Sequence, residues 1–272
     1  QYYDGALLPS ATRRLAKEQD WLARDSLENQ GIFYHFDERY VHKAVALILG
    51  PRGTPYAFGF YLFEITFPND YPYRPPKVKF STGDGRVRFN PNLYVGGKVC
   101  LSILGTWEGP RWSEAYTMRT TLLSLQSLLC VNPIQNEPGH ESSIGSDCSL
   151  YNAMLRYENI AVAAVRVTMD LPTAFLPLRV TVRALFLHHY DEYLQALTEF
   201  EDCEGCTDRS PIFNFITRYS PSAVRRQLAE VRDTFITDLQ VIAEFERIDP
   251  RAAGANFADP SRRSDGPIAQ GR

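Results

Sequence analysis

Four prolines fall within nine residues at 68–76, in PNDYPYRPP. Proline fixes φ and donates no backbone N–H, so this stretch enters neither a helix interior nor a central strand. It must be a rigid surface loop, and it punctuates a series of short strand-like runs. Three precede it, IFYHF at 32–36, KAVALILG at 43–50 and FGFYLFEITF at 58–67, and KVKFS at 77–81 follows. The third run alternates and is rich in aromatics, which predicts a half-buried strand. The short spacings, marked by Gly and Pro, predict an antiparallel meander.

Helical patterns flank this region. Residues 11–29 are rich in helix formers and end before Gly31; Leu15 and Leu22 share a face with Gln19. No long helix is expected from 86 to 116. From Thr117, a plausible cap, Leu122, Leu125 and Leu129 lie on one helical face, and VNPIQNEPG ends the segment with turn residues. A helical pattern resumes over 146–169. Beyond Pro177, Val182, Phe186, Tyr190, Tyr193, Leu197 and Phe200 step by three and four along a second long helix. EDCEGCTDRSP reads as a loop. Ser220-Pro221 reads as a cap with proline at the first helical position, and Val224, Leu228, Val231, Phe235, Leu239 and Ile242 trace another amphipathic helix. From about 249, Pro, Gly, Ser, Ala and Arg predict a disordered tail.

At 272 residues the chain accommodates one large domain, or a medium domain with an extension. A net charge of −3 gives no global field favouring nucleic acid or an anionic membrane, and no apolar stretch approaches the length of a membrane span. The opening residues lack the basic-then-apolar layout of a secretory signal. Five scattered cysteines, Cys100, Cys130, Cys148, Cys203 and Cys206, do not form a disulfide framework, and a reducing compartment, cytosol or nucleus, is expected. Cys203 and Cys206 form a lone C-x-x-C with no second pair, so no metal and no cofactor are expected.

Chemistry concentrates in NPNLYVGGKVCLSIL at 90–104. Taken alone, Cys100 is more often a small buried hydrophobe than a nucleophile. Its neighbours reverse that weighting. FPNDYPYRPPKVKF at 67–80, NPN at 90–92, GKVCLSIL at 97–104, Trp107, WSEA at 112–115 and the leucine-rich helix running into NPIQNEPG occur in an order that resembles the ubiquitin-conjugating enzymes. The loop GTWEGPRW and the helical extension further resemble their Z-type class, which has a long C-terminal region.

The resemblance implies an α+β ubiquitin-conjugating fold, an antiparallel four-stranded meander flanked by helices, with an added C-terminal helical region. The expected divisions are an N-terminal tail at 1–9, a core at 10–160, a helical extension at 161–248 and the tail at 249–272. The implied activity is transfer: an activating enzyme passes ubiquitin or a ubiquitin-like modifier to Cys100 as a thioester, which then goes to an acceptor amine or a ligase. Cys100 is expected in a loop or shallow groove reachable by large partners. Asn92 is the implied donor to the tetrahedral oxyanion, its rival role being an Asx-type turn. Asn90 stands where the family usually has His. Glu137 is the implied acid that positions or deprotonates the incoming amine, with Asn136 as the alternative.

Partner surfaces are implied in the same way. Arg13, Arg14 and Lys17 on the first helix would meet the activating enzyme. Tyr73, and the loop carrying Glu114 and Ala115, would meet a ubiquitin ligase. Glu114 replaces the usual Pro, which points to a specialised or ligase-independent partner. Protein substrates complete the set. The other function considered is a catalytically weak ubiquitin-binding scaffold of the same fold. A cysteine hydrolase needs a His base beside the thiol, and His35, His42, His140, His188 and His189 sit in no hydrolase motif. The extension's helices either pack on the core or select the activating enzyme, modifier or substrate.

Overall fold

The computed structural model describes residues 7–248. The four expected strands form one antiparallel meander in the order β1-β2-β3-β4, with β1 Ile32–Phe36, β2 Lys43–Leu49, β3 Phe60–Thr66 and β4 Lys77–Phe80. Pairing is in simple register, Ile32 opposite Ile48 and Phe63 opposite both Ala46 and Phe80. Because side chains alternate along a strand, the sheet has two distinct faces. Ile32, Ala46, Ile48, Tyr61, Phe63, Ile65 and Phe80 face one hydrophobic cluster, together with helices α1 (Pro9–Arg24) and α2 (Met118–Ser127). Phe33, Leu47, Phe60 and Leu62 face a second cluster built mainly from residues after 156. The half-buried strand expected at 58–67 is therefore covered on both sides, because the extension lies over the sheet's outer face.

α1 stops at Arg24, short of the expected 29. Its buried positions are Ala11, Leu15, Glu18 and Leu22, and Leu27 is also fully buried. At roughly 100° per residue, a continued helix would aim Leu27 about 140° away from Leu22. The chain instead breaks and makes a short 3-10 turn, Glu28–Gln30, closed by Gly31 at φ 73°. Thr117 caps α2 as expected, accepting from the Thr120 N–H.

The boundary expected at 160/161 falls inside one continuous helical run. α3 (Ser146–Glu158) passes into a π-helical segment, Asn159–Arg166, and then into α4 (Val167–Met169). Ala161 packs against both hydrophobic clusters, so the core and the extension share this rod. The second long helix expected after Pro177 is two, α5 (Arg179–His188) and α6 (Tyr190–Leu197). The break comes at His189, whose buried ring stacks on Phe58 with centroids 4.1 Å apart. The loop expected at 201–211 is partly a hairpin, β5 (Thr207–Arg209) pairing with β6 (Ile216–Arg218); strands of three residues leave no periodicity to read.

The last expected helix is also two, α7 (Pro221–Phe235) and α8 (Leu239–Ile248). Asp238 separates them by accepting from the Gln240 and Val241 N–H groups, which caps the start of α8. Ser220 does not cap α7 with its side chain. Its hydroxyl donates to Glu204, and the same carboxylate accepts the Ser222 N–H. The tail expected after 249 and residues 1–6 lie outside the described residues.

The π segment begins where Asn159 meets the sheet. Its carboxamide accepts from Tyr61 Oη at 2.7 Å and donates to Ala57 O at 2.8 Å. A Cβ on Gly59 would lie 1.8 Å from Asn159 Oδ1, an atom held in place by those bonds. Gly59→Ala is expected to destabilise the chain by about 1–3 kcal/mol through overpacking. A lowered urea midpoint would register it; an unchanged midpoint would show that Asn159 moves freely.

Candidate active site

Asn90 is fully buried and organises the turn. Its amide donates to Leu128 O at 2.7 Å, past the end of α2, and to Tyr56 Oη at 2.9 Å, while its Oδ1 accepts the Asn92 N–H at 2.9 Å. It thus ties the turn to the end of α2 and to Tyr56. The loop that follows is pinned to β4: Phe80 N–H donates to Gly97 O, and Gly97 N–H to Tyr94 O, each at 2.8 Å. Gly97 has φ 91°, and a Cβ there would come within 3.0 Å of Phe80 O, so glycine is required.

Asn92 holds Cys100 from both sides of its backbone. Cys100 N–H donates to Asn92 O at 2.8 Å, and Asn92 Nδ2 donates to Cys100 O at 2.9 Å. The Asn92 carboxamide therefore serves as a local tie in this state, and its buried Oδ1 has no partner. Cys100 is only 1% exposed, which corrects the expectation of an open loop or shallow groove. The loop after Gly105 folds back beside Ser102, where a Cβ on Gly109 would lie 3.0 Å from the Ser102 Cβ. Yet Cys100 belongs to neither hydrophobic cluster, whereas Val99, Ile103 and Leu104 beside it all belong to the first. It is covered without being part of the core.

The other thiols have different settings. Burial pushes the Cys130 thiol up, which disfavours its thiolate. Cys148 donates to Ser143 O at 3.0 Å. Cys203 and Cys206 lie in the extension, far along the chain from the turn, and all five cysteines are free. Among the described residues no group of three or more His, Cys, Asp or Glu could hold a metal ion.

Glu137 is half-buried just after the 3-10 turn Pro133–Asn136 that follows α2. Its carboxylate lies near Tyr151, whose phenol is pushed up mainly by burial, with Arg88 pulling down and Glu137 adding to the rise. Asn136 donates weakly towards Cys130 Sγ at 3.9 Å.

Of the residues expected to face partners, Arg13 and Lys17 are exposed on α1. Arg14 is turned inward, pairing with Glu18 and donating to Tyr116 O at 2.9 Å. Tyr73 is 60% exposed, and Glu114 and Ala115 are exposed as well. Trp112 Nε1 donates to Pro72 O at 2.6 Å, which draws the proline loop and the Ser113–Ala115 loop together. The sequence reading missed Glu18. Its buried carboxylate accepts from Tyr71 Oη at 2.9 Å and from the Met118 N–H at 2.7 Å, joining α1, the proline loop and the start of α2. An acid on the helix face between Leu15 and Leu22 was the available signal.

Comparison with known proteins agrees with this construction. The family model described as "Ubiquitin-conjugating enzyme" matches residues 14–162. The chain is 44% identical over 183 residues to "Ubiquitin-conjugating enzyme E2 Z" of Homo sapiens, covering 66% of this chain and 52% of that protein. It is 35% identical over 237 residues to "Probable ubiquitin-conjugating enzyme protein 17" of Caenorhabditis elegans, covering 80% of this chain and 32% of that protein. It is 41% identical over 165 residues to "Dual E2 ubiquitin-conjugating enzyme/E3 ubiquitin-protein ligase BIRC6" of Homo sapiens, covering 58% of this chain and 3% of that protein. The chain spans about half the length of the E2 Z relatives it matches. Since the matched region takes up more than half of the 272 residues and contains the meander, the Asn90–Asn92 turn and Cys100, the chain belongs to the ubiquitin-conjugating enzyme family.

Proposed function

We propose that this chain accepts ubiquitin, or a ubiquitin-like modifier, from an activating enzyme as a thioester on Cys100 and passes it to an acceptor amine or a ligase. One observation carries the reading: a thiol buried outside both hydrophobic clusters, its backbone gripped on both sides by Asn92. A cysteine serving only as packing belongs in a cluster.

In charging, the Cys100 thiolate attacks the thioester carbonyl on the activating enzyme. The new S–C bond forms, the old one breaks, and the partner's thiol departs. In transfer, the acceptor nitrogen attacks, gives up a proton, and Cys100 leaves as thiolate. Both steps pass through an oxyanion that a neutral amide donor can stabilise. Asn92 reaches that role by releasing Cys100 O and turning its carboxamide. Glu137 is the acid assigned to the incoming amine, supported by its place in the turn after α2. Cys100 is buried in this state, so access to the sulfur requires a local opening, for which the partners supply the binding energy.

Arg13 and Lys17 are assigned to the activating enzyme, and Tyr73, Glu114 and Ala115 to a ligase. Five free thiols favour cytosol or nucleus as the compartment. Incubation with an activating enzyme, ATP and ubiquitin should yield an adduct that a thiol reductant cleaves. No adduct with any of a panel of activating enzymes and modifiers overturns the reading.

A further inference from the structure

The tip of the β5–β6 hairpin reaches the catalytic turn through one cation. Arg88 lies two residues before Asn90, and its guanidinium donates to Pro91 O at 2.6 Å, the middle residue of the turn. On one side its Cζ is 3.6 Å from the centroid of Tyr94, in the loop leading to Cys100. On the other it is 4.1 Å from the centroid of Phe213, at the hairpin tip. Arg88 Nε is buried without a hydrogen-bond partner, so the two ring faces stand where its hydration would be. Tyr151, which donates to Arg88 O at 2.8 Å, also contacts the Phe213 ring edge-on, with centroids 6.3 Å apart.

The hairpin is built to deliver that ring. Phe213 and Asn214 have φ of 64° and 56°. Left-handed backbone is unfavourable for a bulky aromatic and persists only where its surroundings fix it. They do so here: Ser210 N–H donates to Phe215 O, Arg86 donates to Ile216 O at 2.6 Å, and Thr217 Oγ1 donates to the buried Glu158 carboxylate at 2.8 Å. Phe215 is buried in the catalytic-side cluster, and Ile212 and Phe213 pack against it, whereas most of the extension packs on the other face of the sheet.

We propose that Phe213 and Arg88 are positioning residues for transfer: the extension's hairpin, through the Tyr94–Arg88–Phe213 stack, sets the Asn90–Pro91–Asn92 turn relative to Cys100. This rests on the thioester reading above. The step most sensitive to the turn is attack by an amine, which is a poorer nucleophile than a thiolate at neutral pH because most of it is protonated. Small misplacements of a catalytic group carry large rate penalties.

The test uses the full chain, charged with ubiquitin and then chased with free lysine over a concentration series. Phe213→Leu keeps apolar bulk and removes the ring face; Phe213→Tyr keeps the face. Phe213→Leu is expected to lower the maximal discharge rate about tenfold, with the half-saturating lysine concentration, the charging amplitude and the melting temperature retained. Phe213→Tyr should restore the rate. Arg88→Lys, which keeps the charge and loses the planar fork, should behave like Phe213→Leu, and the double variant should be no slower than either; Arg88→Lys carries the expectation alone if Phe213→Leu does not fold. A charged wild type whose variants discharge at the wild-type rate overturns the positioning role, as does a Phe213→Tyr form as slow as Phe213→Leu. A wild type that cannot be charged overturns the thioester reading itself.

Discussion

Cys100→Ala is expected to abolish the modifier adduct, and Cys100→Ser to replace it with one that thiol reductants leave intact. The serine oxygen would form an oxyester, slowly because a hydroxyl is a weak nucleophile without a base, but resistant to exchange with added thiol. Neither substitution should unfold the protein, since the side chain belongs to neither hydrophobic cluster and the ties to Asn92 run through the Cys100 backbone. The other cysteines offer no substitute. Cys130 is held as a thiol by burial, Cys148 is hydrogen-bonded to Ser143 O, and Cys203 and Cys206 are in the extension. Gel mobility with and without reductant reads the outcome. A reductant-sensitive adduct of wild-type yield on Cys100→Ala would move the chemistry to another thiol.

Ending the chain after residue 160 is expected to abolish soluble folding. The cut falls within the π segment that carries Asn159, and it uncovers Phe33, Leu47, Phe60 and Leu62 on the sheet's outer face. Burying a large apolar side chain contributes about 1.5–3 kcal/mol. Four of them together rival the whole net stability of a domain, about 5–15 kcal/mol. The cut also removes Thr217 and Ile216 O, leaving the buried Glu158 carboxylate and its exposed partner Arg86 with fewer bonds, and it removes Tyr193, whose hydroxyl donates to Phe58 O at 2.7 Å. Circular dichroism and size-exclusion chromatography would check this. A monomeric truncated chain with a cooperative thermal transition would show that residues up to 160 fold alone.

The extension is therefore a second cover on the sheet, and its other expected role, selecting partners, has to operate from that docked position. α8 lies along α5, and Arg247 reaches across to Glu28 at 2.7 Å, so the end of the described chain returns to the 3-10 turn after α1. The α1 residues expected to face the activating enzyme do not all point outward. Arg13 and Lys17 project from α1, whereas Arg14 is held by Glu18 and Tyr116 O, and substituting it should affect stability as well as any surface.

Local signals that depend on neighbours in sequence were legible. The proline cluster, the four strands, the Thr117 cap, the glycine after the first helix, and the ordered set of motifs around Asn92 and Cys100 all rest on backbone preference and short spacing, and the structure has them where the sequence places them. Helix length was less legible. Apolar periodicity runs unbroken through His189 and Asp238, but His189 turns to stack on Phe58 and Asp238 caps a new helix.

Tertiary structure alone decided three things: that Cys100 is covered, that β3 is buried on both faces, and that Phe213 meets Arg88 across 125 positions of chain. Each depends on surfaces far apart in sequence coming together. Amphipathic patterns tell which side of an element must be buried, but not which other element will bury it, because apolar contact has no direction and any partner of fitting shape will serve.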